Sequence, residues 1–192
     1  AALGLLEYGC RIIGISDVSG ALYNPDGIDI HEAIRYTDIH GNLEGYNEGE
    51  RLDNREILLQ ECTVLIPAAL ERVITREIAA GLKCRFLAEA ANGPTTVSAD
   101  EVLDEREEIE VIPDILCNSG GVVCSYFEWV QDLQSLFWER DEVLRKLFDI
   151  LDKARYNVEN QKERLGISRR NAALTLGIER VARAKGLRGI FP

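Results

Sequence analysis

Short apolar runs rich in β-branched residues alternate with segments of helical pattern along the first two thirds of the chain. Such short, continuous runs predict strands that are buried on both faces of a sheet. The alternation of strand and helix recurs about every 20 to 30 residues, which is typical of a parallel, doubly wound α/β sheet. The predicted strands are residues 10–15, 62–66, 83–88 and 109–112.

The last third of the chain has a helical pattern throughout. Helices are predicted over residues 121–136, 141–164 and 168–185, with Ser168 as an N-cap and Gly186 just past the C-terminal end. Their apolar stripes are expected to cover the sheet or an interface. Shorter helices are predicted behind three capping residues: Asp53, Thr75 and Ser98.

Small and polar residues follow the predicted strands. Asp17 ends the first strand, the run 67–69 follows the second, and Asn92 and Asn118 stand in turns after the last two. Because right-handed crossovers place the carboxyl ends of parallel strands at one edge, we expect these residues to gather there. The asparagine side chains donate and accept hydrogen bonds, as a carboxamide-bearing ligand requires. Alternatively, they are turn asparagines that tolerate left-handed φ angles.

The other strand ends also have two interpretations. Ala68 and Ala69 admit the flat face of a cofactor, or form a tight strand-to-helix turn, which the residues alone favour. Asp17 stands where dinucleotide folds place the acidic residue that binds the adenosine ribose, although a capping or turn role is the alternative. A carboxylate there repels a 2′-phosphate, so Asp17 favours NAD.

The first strand and glycine-rich turn of such folds are expected before Ala1 and are missing, which predicts a fragment or a protein that lost its start.

Four segments carry a resemblance. They are residues 17–27 and 66–71, the run Asn-Gly-Pro-Thr-Thr at 92–96, and residues 118–129 with Asn-Ser-Gly-Gly-Val and Ser-Tyr-Phe-Glu-Trp. In this order they closely resemble the cofactor-binding domain of glutamate dehydrogenases. The resemblance implies a Rossmann-like dinucleotide-binding domain over residues 1–192 and a cofactor that is NAD or NADP. It also implies glutamate and 2-oxoglutarate as substrates, and an oligomer that is hexameric in the family.

The resemblance also assigns roles to single residues. Asn92 and Asn118 match asparagines that contact the nicotinamide ribose and carboxamide. Ser125 matches a serine that binds the side-chain carboxylate of the substrate, although a helix serine also bonds back to the preceding turn. The family's activating lysines and aspartate lie on a separate N-terminal domain, so no catalytic residue is expected here. Glu89 is expected to be a solvated strand-end charge. The aromatic residues that follow Ser125 are expected in the core: Tyr126, Phe127 and Trp129.

Composition and charge exclude several classes of partner. The 192 residues carry a net charge of −11, which argues against nucleic acid and anionic membranes. No apolar run has the length of a membrane helix. The five cysteines have no metal-ligand spacing and predict reduced, buried thiols in a cytoplasm. His31 and His40 are expected to be surface or capping histidines and not ligands, so no metal site is predicted.

Two functions from different classes fit these patterns. The first is the cofactor-binding part of an enzyme that oxidatively deaminates glutamate. The second is a non-catalytic truncated paralogue that associates with full-length dehydrogenase subunits and regulates or stabilises them. The enzyme is the favoured function, and a glycine-rich turn with a substrate domain before Ala1 would distinguish it from the paralogue.

Overall fold

The computed structural model describes residues 1–189, which form an α/β fold with two small sheets and a helical C-terminal part. The strands are β1 (Gly14–Asp17), β2 (Gly20–Tyr23), β3 (Glu50–Leu52), β4 (Cys62–Leu65), β5 (Cys84–Ala88) and β6 (Glu110–Ile112). The helices are α1 (Ala2–Glu7), α2 (Ile30–His40), α3 (Arg76–Gly81), α4 (Val97–Asp104), α5 (Asp114–Cys117), α6 (Ser119–Gln134), α7 (Arg140–Leu165) and α8 (Arg169–Arg188).

The predicted parallel sheet with C-terminal helices is confirmed in the second half of the chain. Its strand order is β4-β5-β6, with β5 in the centre and both pairs parallel. Helices α3 and α4 connect these strands and pack together over one face. Ile78 and Ala99 meet there in a core that also contains Leu87 of the central strand. The predicted burial on both faces is only partly observed. Cys84, Leu87 and Ala88 of β5 are buried, but Arg85 is exposed, and so are Thr63 and Val64 of β4.

The first predicted strand belongs to a separate sheet. It starts at Gly14 rather than Cys10, and it pairs with β2 in an antiparallel hairpin that β3 extends. The sequence predicts that residues 18–53 are rich in loops, with a helical pattern only around 28–36. That helix is observed as α2, but β2 and β3 were missed. The reversal follows from a two-residue turn: Asp17 pairs with Gly20, whose φ of 127° is a conformation that glycine adopts without strain.

A 3₁₀ turn at Ile57–Leu59 joins the two sheets. A Cβ on Gly14 of β1 would lie 2.9 Å from Cδ1 of Ile57, while Leu58 and Leu59 pack against the core of the parallel sheet. The short helix predicted over 54–61 is observed only as these three 3₁₀ residues. Asp53 does not cap this 3₁₀ helix directly. Its carboxylate accepts from the amides of Arg55 and Glu56, both at 2.7 Å, and so closes the turn that leads into the helix.

Two predicted helix ends agree with the structure and two do not. Thr75 and Ser168 cap α3 and α8 as predicted. The predicted start at Ala99 behind Ser98 was wrong, because α4 begins at Val97 and its cap is Thr96. The predicted position of Gly186 past the end of the last helix was wrong, because Gly186 lies inside α8. The helix ends at Arg188, and Gly189, with a φ of 78°, is its C-terminal cap.

The aromatic residues of α6 face different environments. Phe127 is 4% exposed and packs edge-on against Trp138, with ring centroids 5.4 Å apart. Tyr126 and Trp129 are 56% and 57% exposed, so their predicted core positions were wrong. They lie with Val122 and Leu133 at helical spacing on one outward face of α6.

Candidate functional site

The loops that follow β4, β5 and β6 meet at the carboxyl edge of the parallel sheet. The Pro67 carbonyl accepts hydrogen bonds from the amides of Ala90 and Ala91, at 3.0 and 2.9 Å. This places the exposed residues Ala68 and Ala69 beside the turn that contains Asn92. The expectation that these strand ends share one edge is therefore confirmed for the parallel sheet.

A second set of backbone hydrogen bonds aligns residues 72–74, which follow β4, with residues 93–95, which follow β5. The amide of Arg72 donates to the carbonyl of Gly93 at 2.9 Å, and Ile74 forms an isolated parallel bridge with Thr95. Arg72 has a φ of 57°, which is uncommon for a residue with a side chain. Together these bonds hold residues 90–95 in one path across the sheet edge.

Asn92 and Asn118 are joined directly. Nδ2 of Asn118 donates to Oδ1 of Asn92 at 2.7 Å and to the carbonyl of Ala91 at 3.2 Å. Because the Ala91 carbonyl only accepts, the amide orientation of Asn118 follows from its contacts. Among residues 1–189, no hydrogen bond uses Oδ1 of Asn118 or Nδ2 of Asn92. The pair thus presents one free acceptor and one free donor at the sheet edge.

Glu89 is not the solvated strand-end charge expected from the sequence. Its side chain is fully buried, and it accepts from Nη2 of Arg170 at 2.6 Å. It also accepts from the backbone amide of Asp114 at 2.9 Å and from the hydroxyl of Thr95. A buried carboxylate without such partners would be very costly, so these contacts account for its burial.

Arg170 of α8 is the centre of this ionic cluster. Nη1 donates to Asp114 at 3.2 Å, and Nε lies 2.9 Å from Oδ2 of Asp100 without forming an aligned hydrogen bond. Burial works to lower the pKa of the Arg170 guanidinium, but the hydrogen bond and charge of Glu89 raise it. Burial raises the pKa of the Asp100 carboxyl, and the charge of Arg170 opposes that change. No local sequence pattern indicates the cluster, because Arg170 is 81 residues from Glu89.

Asp17 lies in the antiparallel sheet, where its carboxylate has structural partners. Oδ1 accepts from the amide and hydroxyl of Ser19 at 2.7 and 2.6 Å, and Oδ2 accepts from the amide of Leu43 at 2.7 Å. Burial works to raise the pKa of this carboxyl, but these bonds lower it overall. In the described residues no hydrogen bond links Asp17 to Asn92 or Asn118. Its predicted turn role is therefore observed, while its ribose role stays a prediction.

Ser125 lies on α6, six residues after the helix begins at Ser119, and its side chain is exposed. Within residues 1–189 its hydroxyl makes no hydrogen bond to the preceding turn, in contrast to Ser119, which donates to the Leu116 carbonyl at 2.9 Å. Its hydroxyl is thus open to a ligand, and the role in substrate binding stays a prediction.

The remaining candidate residues have ordinary surroundings. His31 and His40 are exposed, as expected, and residues 1–189 contain no group of side chains suited to a metal ion. All five cysteines are free, but only Cys84 is buried, so the expectation of buried thiols was too general. Burial raises the pKa of the Cys62 thiol to about 11, with a further contribution from Cys84. No helix in the described part of the chain combines the length and apolarity that membrane crossing requires.

Comparison with known proteins identifies relatives along the whole chain. A family profile described as Glutamate/Leucine/Phenylalanine/Valine dehydrogenase matches residues 1–189. The glutamate dehydrogenase of Thermotoga maritima is 47% identical over 186 residues, which cover 97% of this chain and 44% of that protein.

Solved structures agree with this assignment. A hetero-hexameric glutamate dehydrogenase from Thermus thermophilus, in a Leu-bound form, matches 100% of this chain and 45% of its own with a TM-score of 0.92 and 31% identity. Glutamate dehydrogenase from Peptoniphilus asaccharolyticus matches 98% of this chain and 44% of its own, with a TM-score of 0.78 and 34% identity. The chain thus spans less than half the length of these relatives. By profile, identity and fold, it belongs to the Glutamate/Leucine/Phenylalanine/Valine dehydrogenase family.

Proposed function

We propose that this chain is the cofactor-binding part of an NAD(P)-dependent dehydrogenase that converts glutamate to 2-oxoglutarate and ammonia. The observation that carries the proposal is the Asn92–Asn118 pair at the carboxyl edge of β5 and β6. This edge is where open α/β sheets bind ligands, and the pair offers a free donor and a free acceptor there. Both groups match the hydrogen-bonding needs of a nicotinamide carboxamide.

The neighbouring residues support the same assignment. Ala68 and Ala69 are small and exposed beside this pair, so they leave room for a flat ring. Ser125 offers an uncommitted hydroxyl for the side-chain carboxylate of glutamate. Asp17 is assigned to the adenosine ribose and favours NAD over NADP. When bound, the nicotinamide supplies the hydride acceptor, while this chain's residues bind and orient it.

No residue of this chain is assigned a catalytic role. Oxidative deamination requires groups that bind the amino acid and move its protons, and the candidate edge of the sheet offers asparagine, alanine and serine for binding only. The fully buried Glu89 is already paired with Arg170 and so is not free to act as a base. The complete activity therefore requires residues beyond those of the candidate site.

A titration with nicotinamide mononucleotide tests the proposal, because this half of the cofactor needs only the proposed nicotinamide end of the site. We expect millimolar ligand to shift the NMR signals of the Asn92 and Asn118 side-chain amides in the ¹⁵N-labelled chain. Asn118→Ala should weaken the binding about tenfold or more, since it leaves ligand groups unpaired. Asn160→Ala, an exposed asparagine of α7, is the control and should leave the affinity unchanged. Unshifted Asn92 and Asn118 signals would reject the assignment.

A second function is favoured by one comparison. The Thermus thermophilus protein that matches all of this chain is described as hetero-hexameric. The chain would then be a non-catalytic partner of full-length dehydrogenase subunits, and its free cysteines are compatible with a shared cytoplasmic location. Native mass spectrometry of the purified chain mixed with a full-length glutamate dehydrogenase separates the two functions. Mixed oligomers without any nicotinamide mononucleotide binding would favour the partner.

A further inference from the structure

We propose that Arg170 is a positioning residue through which α8 holds the Asn92 turn in its ligand-ready path. The inference rests on the proposed function, because the turn matters only if it binds the cofactor. The rigidity of the turn can nevertheless be measured without any cofactor. Its basis is the contact between one guanidinium and two carboxylates that each anchor a different point of residues 89–95.

The first anchor runs through Glu89. This residue ends the apolar run of β5, and its carboxylate accepts from the hydroxyl of Thr95 across the turn. The turn is therefore closed by its own side chains, six residues apart, around a fully buried carboxylate. Nη2 of Arg170 donates to the same carboxylate at 2.6 Å and neutralises its charge. Without the guanidinium, the buried charge would have no cation to balance it.

The second anchor runs through Asp114. Its Oδ2 accepts from the backbone amide of Gly93 at 2.8 Å, and its Oδ1 accepts from Nη1 of Arg170 at 3.2 Å. Gly93 directly follows Asn92 and has a φ of 53°, so its amide fixes the left-handed step that turns the chain. Arg170 thus fixes the side chain of Asp114, and Asp114 in turn fixes the turn through the amide of Gly93.

The two anchors depend on one another through charge. The amide of Asp114 donates to Glu89 at 2.9 Å, which brings two carboxylates to the same place, and Asp100 is a third. Like charges at such close range repel unless a cation lies between them. Loss of the Arg170 guanidinium therefore favours rotation of the more exposed Asp114 side chain towards solvent, which releases Gly93 and frees Asn92 to leave Asn118.

Arg169 provides a matched control on the same helix. Both arginine side chains are 19% exposed, and both form ion pairs with two or more carboxylates. Arg169 bonds to Glu159 of α7 and Glu110 of β6, at 2.6 and 3.1 Å, and to the carbonyl of Val111 at 3.4 Å. Within residues 1–189 it bonds to no residue of the turn. Loss of either arginine removes ionic contacts of α8, but only loss of Arg170 removes the support of Gly93.

The test is the exchange rate of the Gly93 amide with water in the ¹⁵N-labelled 192-residue chain. Lysine keeps the positive charge but lacks the planar fork that reaches two carboxylates at once. We therefore expect Arg170→Lys to speed Gly93 exchange about tenfold and to shift the Asn118 side-chain amide signals, with Arg169→Lys within about twofold of wild type. Asp114→Ala, which leaves the Arg170–Glu89 pair intact, should speed Gly93 exchange at least as much. Asp114→Ala therefore still tests the second anchor if the Arg170 variant does not fold.

Unchanged Gly93 exchange in a folded Arg170→Lys variant, or in Asp114→Ala, would overturn the inference. So would equal acceleration in the Arg169 and Arg170 variants, because it would mean a general loosening of α8. Titration of the same samples with nicotinamide mononucleotide separates this outcome from the proposed function. The wild-type protein could show slow Gly93 exchange that Arg170→Lys accelerates, and yet bind no mononucleotide. That result would support the positioning role of Arg170 and reject only the cofactor assignment.

Discussion

At the scale of single residues, Asp17 shows how a candidate ligand also stabilises the fold. Its carboxylate accepts three hydrogen bonds, which connect β1 to the turn at Ser19 and to the loop at Leu43. These bonds depress its folded pKa below the ordinary value of 3.8. Stability from a depressed carboxyl pKa is fully present above the unfolded value and is lost as pH falls through the folded one.

Asp17→Asn is therefore expected to reduce stability at pH 7 by about 1.5–3 kcal/mol, because hydrogen bonds to an ionised carboxylate become bonds to a neutral amide. The difference between variant and wild type should shrink as the pH is lowered below 3.8. Urea unfolding of both proteins across this range provides the measurement. Asp26→Asn, at an exposed position in the following loop, is the control. A stability difference that does not change with pH would contradict the role of the charge.

At the scale of elements, the start of α4 decides how the chain leaves the candidate site. Thr96 accepts from the amide of Ala99 at 3.3 Å, and its own amide donates to the carbonyl of Ile74 at 3.0 Å. The cap thus ends the aligned path of residues 90–95 and begins the helix. Ser98, which the capping-box pattern favours, lies exposed within the first turn.

Thr96→Ala should destabilise the protein by about 1 kcal/mol, the usual cost of losing an N-cap side chain. Ser98→Ala should change stability by less than about 0.5 kcal/mol, as expected of an exposed position without a cap bond. Chemical denaturation of the two variants measures both effects. The reverse order of effects would mean that α4 starts at Ala99, as the sequence pattern suggested.

At the scale of the whole molecule, residues 1–189 contain two sheets with separate cores, and the C-terminal helices form a third cluster around Val158 and Ala172. The antiparallel sheet packs around Leu22 and Ile28, and the parallel sheet around Leu82 and Leu87. The 3₁₀ turn connects them, since Ile57 lies against Gly14 while Leu59 packs near Gly81. Units of this kind open separately when few apolar contacts cross between them.

Ile57→Ala should therefore speed amide hydrogen exchange in β1 and β2 about tenfold, with a smaller effect in β5. Loss of a half-buried isoleucine side chain costs roughly 1–3 kcal/mol at the contact that it makes. Leu59→Ala should produce the opposite pattern, with the larger effect in β4 and β5. Equal acceleration in all strands of both variants would indicate that the two sheets unfold as one unit.

The sequence alone determined the features that depend on local pattern. Short apolar runs indicate the positions of the strands β4, β5 and β6, and the alternation with helices indicates their parallel pairing. Thr75 and Ser168 are recognisable in the sequence as helix N-caps, because their own side chains accept the capping hydrogen bonds. The edge that gathers the small residues 68–69 with Asn92 and Asn118 follows from the same alternation, because parallel strands end on one side.

Only the tertiary structure decided the features that depend on distant partners. Residues 18–53 have too little periodicity to indicate β2 and β3, whose pairing depends on a tight turn and on packing against α2. Glu89 carries the same charge in the sequence as a solvated glutamate, and its burial is possible because α8 brings Arg170 to it from 81 residues away. The pattern of apolar residues along the sequence indicates which residues avoid water. A buried charge, however, requires a charged partner, and only folding brings that partner close.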